Sequence, residues 1–232
     1  MKLAIMQPYL FPYIGYFQLI KVVDKFVIYD DVNYILRGWI NRNKILLKGK
    51  EYMFTLSLSK HSQNKLINEI LIYNEDRSKK RLIETIKHAY SKAPQYATVF
   101  LLLKDIVLNS EERLSKYIEY SLIRIIDFLG IKTKLLFSSS IDKNNSLKGQ
   151  KKILEICKIL KATEYINPIG GMGIYSKKRF EKNNIGLYFI KTKNIVYRQF
   201  NNDFVPNLSI IDVLMFNSKD EVKKLLSAYE LI

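Results

Sequence analysis

The sequence has few of the residue types on which disulfides, metal sites and histidine-based catalysis depend. Its one cysteine, Cys157, allows neither an internal disulfide nor a cysteine-based zinc site. The two histidines, His61 and His88, have no acidic or cysteine partner at ligand spacing. We therefore predict no metal site. Cys157 lies among helical apolar positions, and we interpret it as a buried core thiol rather than a nucleophile.

Long apolar segments are also missing. No uninterrupted apolar run approaches the roughly 18 residues that a membrane-spanning helix needs. The apolar opening is interrupted by Gln7, Pro8 and Pro12, and no small-residue cleavage site follows it, so it does not resemble a signal peptide. These absences predict a cytoplasmic protein without a membrane span.

Acidic residues are scarce, with 22 against 38 lysines and arginines, and the formal net charge is +16. A positive charge of this size attracts nucleic acid, acidic lipid or phosphorylated substrates. Lysine is spread along almost the whole chain, and neither an RNA-binding signature nor a dense basic tail accompanies it. Because lysine accompanies many isoleucine and asparagine residues, we interpret the charge mainly as a compositional bias, and nucleic acid is the weaker alternative.

The apolar pattern predicts an α/β fold. KLAIM and KFVIY are buried, non-alternating strands, and residues 13–22 between them have helical spacing, so the two strands should be adjacent and parallel. KILLK and EYMFTLSLS flank a Gly49-Lys50 turn and predict a β-hairpin, and NEILIY offers a further strand. Helical patterns then run to Leu129, and the last of these helices has Ser110 and Gly130 as its expected caps.

The second half of the chain alternates between strand and helix patterns. TKLLFSSS, EYINPI, GLYFIK and IVYRQ are predicted strands, LKGQKKILEICKILKA is a predicted helix, and the tail from Ser209 is largely helical. We therefore expect one domain over residues 1–232. It should contain a mostly parallel sheet, a β-hairpin and a helical insert at roughly residues 76–130.

Three motifs follow predicted strands, where ligands bind in open α/β sheets. They are the loop from Gln7 to Phe17, the acid pair Asp30-Asp31 with 39–43 behind it, and the turn 170–173. Paired carboxylates can hold a metal or an amine, or one of them can act as a base, and glycine-rich turns can bind phosphate through their amides. The alternatives are an aromatic packing loop, solvated turn residues and an ordinary glycine turn.

The motifs themselves resemble those of a known family. The stretch IMQPYLFPYIGYFQLIKVVDKFVIYDDVNYILRGWINRNKI is similar to the opening of the WbqC-like family. AYSKAPQY, LKGQKKILEICKILKATEYINPIGGMGIY and FVPNLSIIDVLMFN follow in the family's order, so the resemblance covers almost the whole chain. It implies a cytoplasmic enzyme of bacterial surface-polysaccharide or O-antigen biosynthesis. The implied activity is glycine or aminoacyl transfer to an amino sugar.

The match also carries specific residues over to this chain. In sequence order they are Gln7, Pro8, Tyr9, Pro12, Gly15, Tyr16, Asp31, Trp39, Asn41, Arg42, Gly170, Gly171, Tyr175, Gln199, Phe204, Pro206, Ser209 and Asp212. Many members of the family have a histidine where this chain has Met6, so a mechanism that needs that histidine is not available here.

A second similarity concerns GYFQLIKVVDKFVIYDDV. This stretch is similar to the helix and following strand of ATP-using nucleotidylyl transferases and of pantothenate synthetase, although Tyr16 replaces the histidine of their signature. The similarity implies a nucleotidylyl-transferase-like form of the sheet. It also suggests ATP, or another activated acyl donor, as the cosubstrate.

Together, these observations predict an amide-forming acyl or aminoacyl transferase that acts on a nucleotide-linked amino sugar. We expect catalytic roles for Gln7, Tyr9, Asp30 and Asp31, with Asp31 of raised proton affinity as base or amine anchor. The remaining residues of the three motifs would bind substrate: Pro8, Pro12, Gly15, Tyr16, Trp39, Asn41, Arg42, Gly170, Gly171, Tyr175 and Gln199. The alternative is a non-catalytic module that binds a nucleotide-sugar or assembles with pathway enzymes. Monomer and homo-oligomer are both compatible with the sequence.

Overall fold

The computed structural model describes residues 1–73, 76–201 and 203–232. Its centre is a six-stranded sheet with the spatial order β10-β9-β8-β1-β2-β7. All neighbouring strands in it are parallel except β10, which is antiparallel to β9. In chain order the six strands are β1 (Lys2–Met6), β2 (Lys25–Ile28), β7 (Lys134–Phe137), β8 (Glu164–Pro168), β9 (Gly186–Thr192) and β10 (Tyr229–Leu231).

The predicted parallel pair at the start of the chain is confirmed. Leu3 of β1 pairs with Lys25 of β2, and helix α1 (Ile14–Val22) connects the two strands. Successive residues of β1 are buried against opposite sides of the sheet. Ala4 packs with α1, whereas Leu3 and Ile5 pack with helices from later in the chain. A strand covered on both faces has no polar alternation, which explains the continuous apolar run in the sequence.

Helices cover both faces of the sheet. In chain order they are α1, α2 (Asp76–Tyr90), α3 (Tyr96–Leu108), α4 (Leu114–Leu129), α5 (Gly149–Ile159), α6 (Lys177–Glu181), α7 (Ile210–Phe216) and α8 (Lys219–Leu225). α5 and α6 bury Ile153, Ile156 and Phe180 against the face opposite α1. None of the helices in the described part of the chain combines the length and apolar character that a bilayer span requires.

The predicted hairpin is present and lies outside the sheet. Strands β3 (Arg42–Leu47) and β4 (Lys50–Thr55) pair antiparallel across a two-residue turn, where Lys48 and Gly49 have φ values of 52° and 75°. Positive φ at both turn positions is the geometry that matches the twist of a tight hairpin. A second, shorter antiparallel pair joins β5 (Leu58–Ser59) to β6 (Leu71–Ile72), which falls within the predicted NEILIY strand.

Helices α2, α3 and α4 lie within residues 76–130, where the sequence predicted helices. Gly130 ends α4 in a left-handed conformation with φ 71°, as expected for a C-terminal glycine. The expected cap at Ser110 is wrong, since α4 is preceded by Arg113 and begins at Leu114. Ile72 N donates a hydrogen bond to Glu112 O, and Leu71 bridges to Arg113. These contacts keep residues 112–113 extended and delay the start of the helix.

Two expectations for the end of the chain are wrong. Residues 195–199, predicted as a strand, are irregular, and the largely helical tail ends in strand β10. The outer edge of β9 is already occupied by β10, so no second strand can pair there. The alternation in IVYRQ has a cause other than strand pairing. Every second side chain, Tyr197 and then Gln199, points inward and donates a hydrogen bond to Asp212 of α7.

Candidate functional site

The strand order places the first and third motifs on the two sides of a topological switch point. In chain order, the five parallel strands occupy the spatial order 3-2-1-4-5, which reverses direction between β1 and β8. Gln7, Asp31 and Gly170 follow β1, β2 and β8, which are neighbours in the sheet. Because parallel strands end at the same edge, all three residues lie along that edge. A crevice at such a point is the usual ligand position in this type of sheet.

The loop after β1 is held rigidly by hydrogen bonds from distant segments. Phe11 has a positive φ of 44°, which is uncommon for a residue with a bulky side chain. Its carbonyl accepts hydrogen bonds from Asn43 Nδ2 at 2.8 Å and Ser209 Oγ at 2.7 Å. Leu10 donates to Ile40 O at 3.0 Å and accepts from Asn43 Nδ2 at 3.1 Å. The hairpin and the start of α7 therefore hold the loop in a conformation that is strained at Phe11.

Several first-motif residues have structural contacts at this loop. Tyr16 is buried, donates a hydrogen bond to Gln7 O at 2.8 Å and packs beside Tyr9, with ring centroids 5.7 Å apart. Burial raises the pKa of both tyrosines. The side-chain amide of Gln7, in contrast, has no hydrogen-bond partner among the described residues. Gln7 therefore keeps its polar side chain available at the edge of the sheet, whereas Tyr16 builds the loop.

Gly15 allows an aromatic residue to lie over the start of α1. A Cβ atom at Gly15 would fall 2.4 Å from the ring of Tyr13, so any other residue there would displace that ring. Tyr13 lines a cavity of about 260 Å³ at the end of β9, together with Phe204 and Pro206 from the last motif. Residues near the two ends of the chain thus form one aromatic cavity beside the loop after β1. Pro12 precedes Tyr13, and its carbonyl accepts a hydrogen bond from Ile210 N.

Asp30 has an internal structural role. It is 2% exposed and accepts hydrogen bonds from Ser139 N at 3.0 Å and Ser139 Oγ at 2.7 Å. These bonds connect the end of β2 to the turn that follows β7. Both carboxylate oxygens are therefore occupied within the protein, and a catalytic role for Asp30 stays a prediction without a contact that favours it.

Asp31 lies between two buried lysines. Its Oδ2 is 2.8 Å from Lys143 Nζ and 3.0 Å from Lys152 Nζ, and the side chains of the two lysines are 1% and 7% exposed. Both carboxylate oxygens are shielded from solvent and lack a well-aligned hydrogen bond, so charge dominates the contact. Lys152 Nζ also donates to Asp31 O at 3.1 Å. Lys143 Nζ donates to Ser138 O.

The expected rise in the proton affinity of Asp31 is wrong. Burial by itself would raise the pKa of Asp31, but the close polar contacts of Lys143, Ser138 and Lys152 outweigh burial and lower it. The carboxylate therefore stays ionised near neutral pH, where a poor proton acceptor is expected. The geometry favours Asp31 as the group that holds two ammonium groups at the end of β2. Lys152 Nζ also lies 5.3 Å from the ring centroid of Tyr29.

The second part of that motif belongs to the hairpin. Arg42 donates through Nε to Gly38 O at 2.9 Å, and its guanidinium lies 5.9 Å from the ring centroid of the exposed Trp39. Asn41 is buried, accepts from Tyr34 and donates to Leu56 O, so it supports the hairpin rather than facing a ligand. Convergence of Arg42 with Gln7, Asp31 and Gly170 on one cleft stays a prediction.

The glycine turn after β8 is tightly packed on one side and open on the other. A Cβ atom at Gly171 would fall 1.9 Å from Asn167 Nδ2, so any other residue there must displace that buried amide. A Cβ atom at Gly170 would meet nothing within 4 Å, which leaves its backbone open to a ligand. Tyr175 packs against Tyr165 and Phe180 with ring centroids 5.7 and 6.0 Å apart, which anchors the far end of the turn.

A buried carboxylate connects the late motifs. Asp212 accepts hydrogen bonds from Tyr90 at 2.8 Å, Tyr197 at 2.7 Å and Gln199 at 2.6 Å. Burial raises the pKa of Asp212, and the three hydrogen bonds oppose that rise. The side-chain amide of Gln199 also forms two hydrogen bonds with the backbone of Val205, donating to Val205 O and accepting from Val205 N. These contacts give Gln199 a structural role, and its substrate contact stays a prediction.

Sequence reasoning missed Lys143 and Lys152. Both lie in segments where lysine is frequent, and nothing in their spacing connects them to Asp31, more than a hundred positions earlier. Cys157 is buried in the core, and burial raises the pKa of its thiol to about 12, which agrees with the predicted packing role. His61 packs edge-on against Tyr34, and His88 lies on the exposed face of α2.

The sheet, with its reversal between β1 and β8 and helices on both faces, defines a doubly wound, Rossmann-like α/β protein. The model of the WbqC-like protein family matches residues 7–224, and the chain therefore belongs to the WbqC-like family. It is similar to the uncharacterized protein Rv1507c of Mycobacterium tuberculosis (strain ATCC 25618 / H37Rv). The two are 30% identical over 219 residues, which cover 93% of each chain. No solved structure matches the chain.

Proposed function

We propose that the protein is a transferase of bacterial surface-polysaccharide biosynthesis that forms an amide on a nucleotide-linked amino sugar. The observation that carries the proposal is the switch point between β1 and β8. There the amide of Gln7, which has no partner among the described residues, and the backbone of Gly170, where a Cβ atom would meet nothing within 4 Å, follow neighbouring strands. Doubly wound sheets bind nucleotides at this position. The amino-sugar acceptor comes from the family resemblance.

Charge supports a phosphorylated substrate. The chain has a net charge of +16, and two lysines meet at the end of β2, one strand away from the switch point. Positive charge near a cleft raises the local concentration of a nucleotide diphosphate. In the proposed arrangement, the Gly170 backbone contacts the diphosphate. The buried lysines, paired with Asp31, add one net positive charge nearby without contacting the ligand. The aromatic cavity lined by Tyr13 and Phe204 receives the sugar.

The proposed reaction joins the sugar amine to an activated acyl group. The amine nitrogen forms a bond to the acyl carbon, the bond from that carbon to its activating group breaks, and the nitrogen loses one proton. With ATP as cosubstrate, the activating group is AMP, and pyrophosphate is released when the acyl-adenylate forms. Asp31 is not assigned the proton because its pKa is lowered. Its proposed role is to hold Lys143 and Lys152.

A non-catalytic nucleotide-sugar-binding module is the second candidate. The observation that favours it is that the residues expected to act as the catalytic base are poorly suited to accept a proton. Asp31 has a lowered pKa, Asp30 is occupied by Ser139, and Tyr9 has a pKa raised by burial. None of these groups combines a free acceptor atom with a proton affinity suited to base catalysis near neutral pH.

One experiment separates the two candidates. The protein is incubated with glycine, ATP and UDP-linked amino sugars. Pyrophosphate release and the mass of the sugar are then followed, and sugar binding is measured by calorimetry. Turnover with addition of a glycyl group supports the transferase. Tight binding without turnover, also with other acyl donors, favours the module. If UDP-linked amino sugars neither bind nor react, both proposals fail.

Gly171→Ala provides a site-specific control for either outcome, since a Cβ atom there must displace Asn167. Gly170→Ala is the matched comparison because its Cβ atom meets no protein atom. Gly171→Ala is expected to weaken UDP-sugar binding through the distorted turn. Gly170→Ala affects binding only if the ligand approaches that backbone. Equal wild-type binding by both variants would exclude the glycine turn from the site.

A further inference from the structure

A second cavity lies away from the six-stranded sheet, between hairpin strand β4 and helix α2. Its volume is about 440 Å³, within the usual range for small-molecule sites. None of the described residues that line it belongs to the six-stranded sheet. The hairpin side and the helix side contribute, among others, Tyr52, Phe54, Thr55, Arg77, Ser78 and Arg81.

Two arginine side chains line this cavity. Arg77 and Arg81 are four residues apart on α2, which places them on one face of the helix. Neither guanidinium has a hydrogen bond or an ion pair with another residue of the described chain. No acidic side chain occurs among the described lining residues. Like charges at this spacing repel one another, and an anion bound between them would relieve the repulsion.

The rest of the lining combines hydroxyl groups with an apolar floor. Ser78 Oγ is shielded from solvent and has no hydrogen-bond partner within the described residues, so it is an unused donor that can reach a ligand oxygen after rotation of its side chain toward the cavity. Phe54 and Leu82 are 5% and 6% exposed and form the buried base of the cavity. Tyr52 adds an aromatic ring on the hairpin side. Such a lining suits a ligand with an anionic end and a flat apolar body.

We propose that this cavity binds a small phosphomonoester with an aromatic or apolar body of mononucleotide size. Arg77 and Arg81 contact the phosphate oxygens, for which the planar guanidinium is the best-matched donor. Ser78 donates a further hydrogen bond to the phosphate, and Tyr52 packs against the body of the ligand. This site is separate from the edge of the six-stranded sheet and does not depend on the transferase proposal.

The test uses uridine monophosphate, uridine and inorganic phosphate as probes. Each is titrated into the full chain by calorimetry in low-salt buffer without phosphate. Uridine monophosphate is expected to bind more tightly than phosphate, and uridine is expected not to bind measurably. Replacing both arginines by glutamine (Arg77→Gln with Arg81→Gln) should weaken uridine monophosphate binding by about tenfold to a hundredfold, since charge-assisted hydrogen bonds are lost.

Lys87→Gln is the matched control because it removes an exposed charge from the same helix outside the cavity. It should change the affinity by less than about twofold, because its charge is exposed to water and lies outside the cavity. Circular dichroism checks that each variant is folded. If Lys87→Gln lost as much affinity for uridine monophosphate as the double arginine variant, the effect would come from the general surface charge of the protein. That result would overturn the proposal.

Three further results would also overturn it. The first is unchanged binding of uridine monophosphate in the double arginine variant. The second is uridine binding as tight as that of its phosphate ester. The third is weakening by Gly171→Ala but not by the arginine changes, which would locate the nucleotide at the edge of the sheet only. The transferase proposal would survive that last result, so the two proposals fail independently.

Discussion

Asp31→Asn tests whether the two buried lysines depend on a single carboxylate. In the wild-type protein, Asp31 Oδ2 lies within 3.0 Å of both ammonium groups, and the two lysine side chains are at most 7% exposed. Asparagine has nearly the same shape but no charge, so the change leaves two buried cations without their counter-ion. Removing one partner of a buried ion pair typically costs about 3–5 kcal/mol. For a chain of this size, that loss lowers Tm by roughly 6–20 °C.

The stability difference between wild type and Asp31→Asn should depend on pH in a direction that follows from the pKa of Asp31. The pKa of Asp31 is lowered in the folded protein, so its charge stabilises the fold at pH values above the ordinary aspartate pKa of about 3.9. That stabilisation is lost as the pH falls through the lower, folded-state pKa. The difference between wild type and Asp31→Asn should therefore be constant from about pH 7 to pH 5 and shrink below about pH 3.9.

The assay is urea unfolding of both proteins at several pH values, followed by circular dichroism. Asp142→Asn is the matched control, because Asp142 is exposed and adjacent to Lys143, and it should cost less than about 0.5 kcal/mol. Adding Lys143→Met to Asp31→Asn removes one unpaired cation and should recover part of the loss. A loss below about 1 kcal/mol for Asp31→Asn would refute the reasoning, because the contacts would then be no stronger than exposed pairs.

Three other substitutions test separate parts of the structure. Gly171→Ala should cost about 1–3 kcal/mol by calorimetric melting, because its Cβ atom must displace Asn167, whereas Gly170→Ala should melt like wild type. Asp212→Asn should cost about 1–3 kcal/mol in urea unfolding. The two carboxylate oxygens accept three hydrogen bonds, and the substitution replaces one of these oxygens by an amide nitrogen that cannot accept. Gly130→Ala should cost about 1 kcal/mol, because alanine disfavours a φ of 71°, and an unchanged midpoint would contradict that explanation.

Local signals in the sequence were sufficient for much of the fold. The first two strands and α1 were predictable because each burial pattern is complete within a few residues and the connection is short. The hairpin was predictable from its Gly49 turn. The false strand at 195–199 has a different origin: its buried positions, Tyr197 and Gln199, bind a carboxylate that follows 13 positions after Gln199. A segment in which every second residue is buried has the same sequence pattern whether or not it pairs with a neighbouring strand. The pattern alone therefore cannot identify a true strand.

The candidate site was predictable in part for the same reason. Residues placed by strand ends, such as Gln7 and Gly170, follow from the order of strands and turns. The partners of Asp31 do not, because Lys143 reaches it from the connection before α5 and Lys152 reaches it from α5 itself, and one sequence contains no signal for these contacts. The expected pKa was wrong because burial was considered without the two cations. Burial raises the pKa of a carboxyl group, but adjacent ammonium groups can lower the pKa by more than burial raises it.

The family motifs are largely explained by the rigid loop after β1. Asn41, Ser209 and Asp212 all direct their polar atoms at protein groups, and Ser209 bonds the strained carbonyl of Phe11 itself. A residue whose hydrogen-bonding atoms are already occupied is a weak candidate for contact with substrate. Gln7 differs from these three residues, since its amide lies next to the switch point without a partner in the described chain. The motif is therefore best interpreted as a scaffold that presents very few polar groups, with Gln7 as the residue to test first for ligand contact.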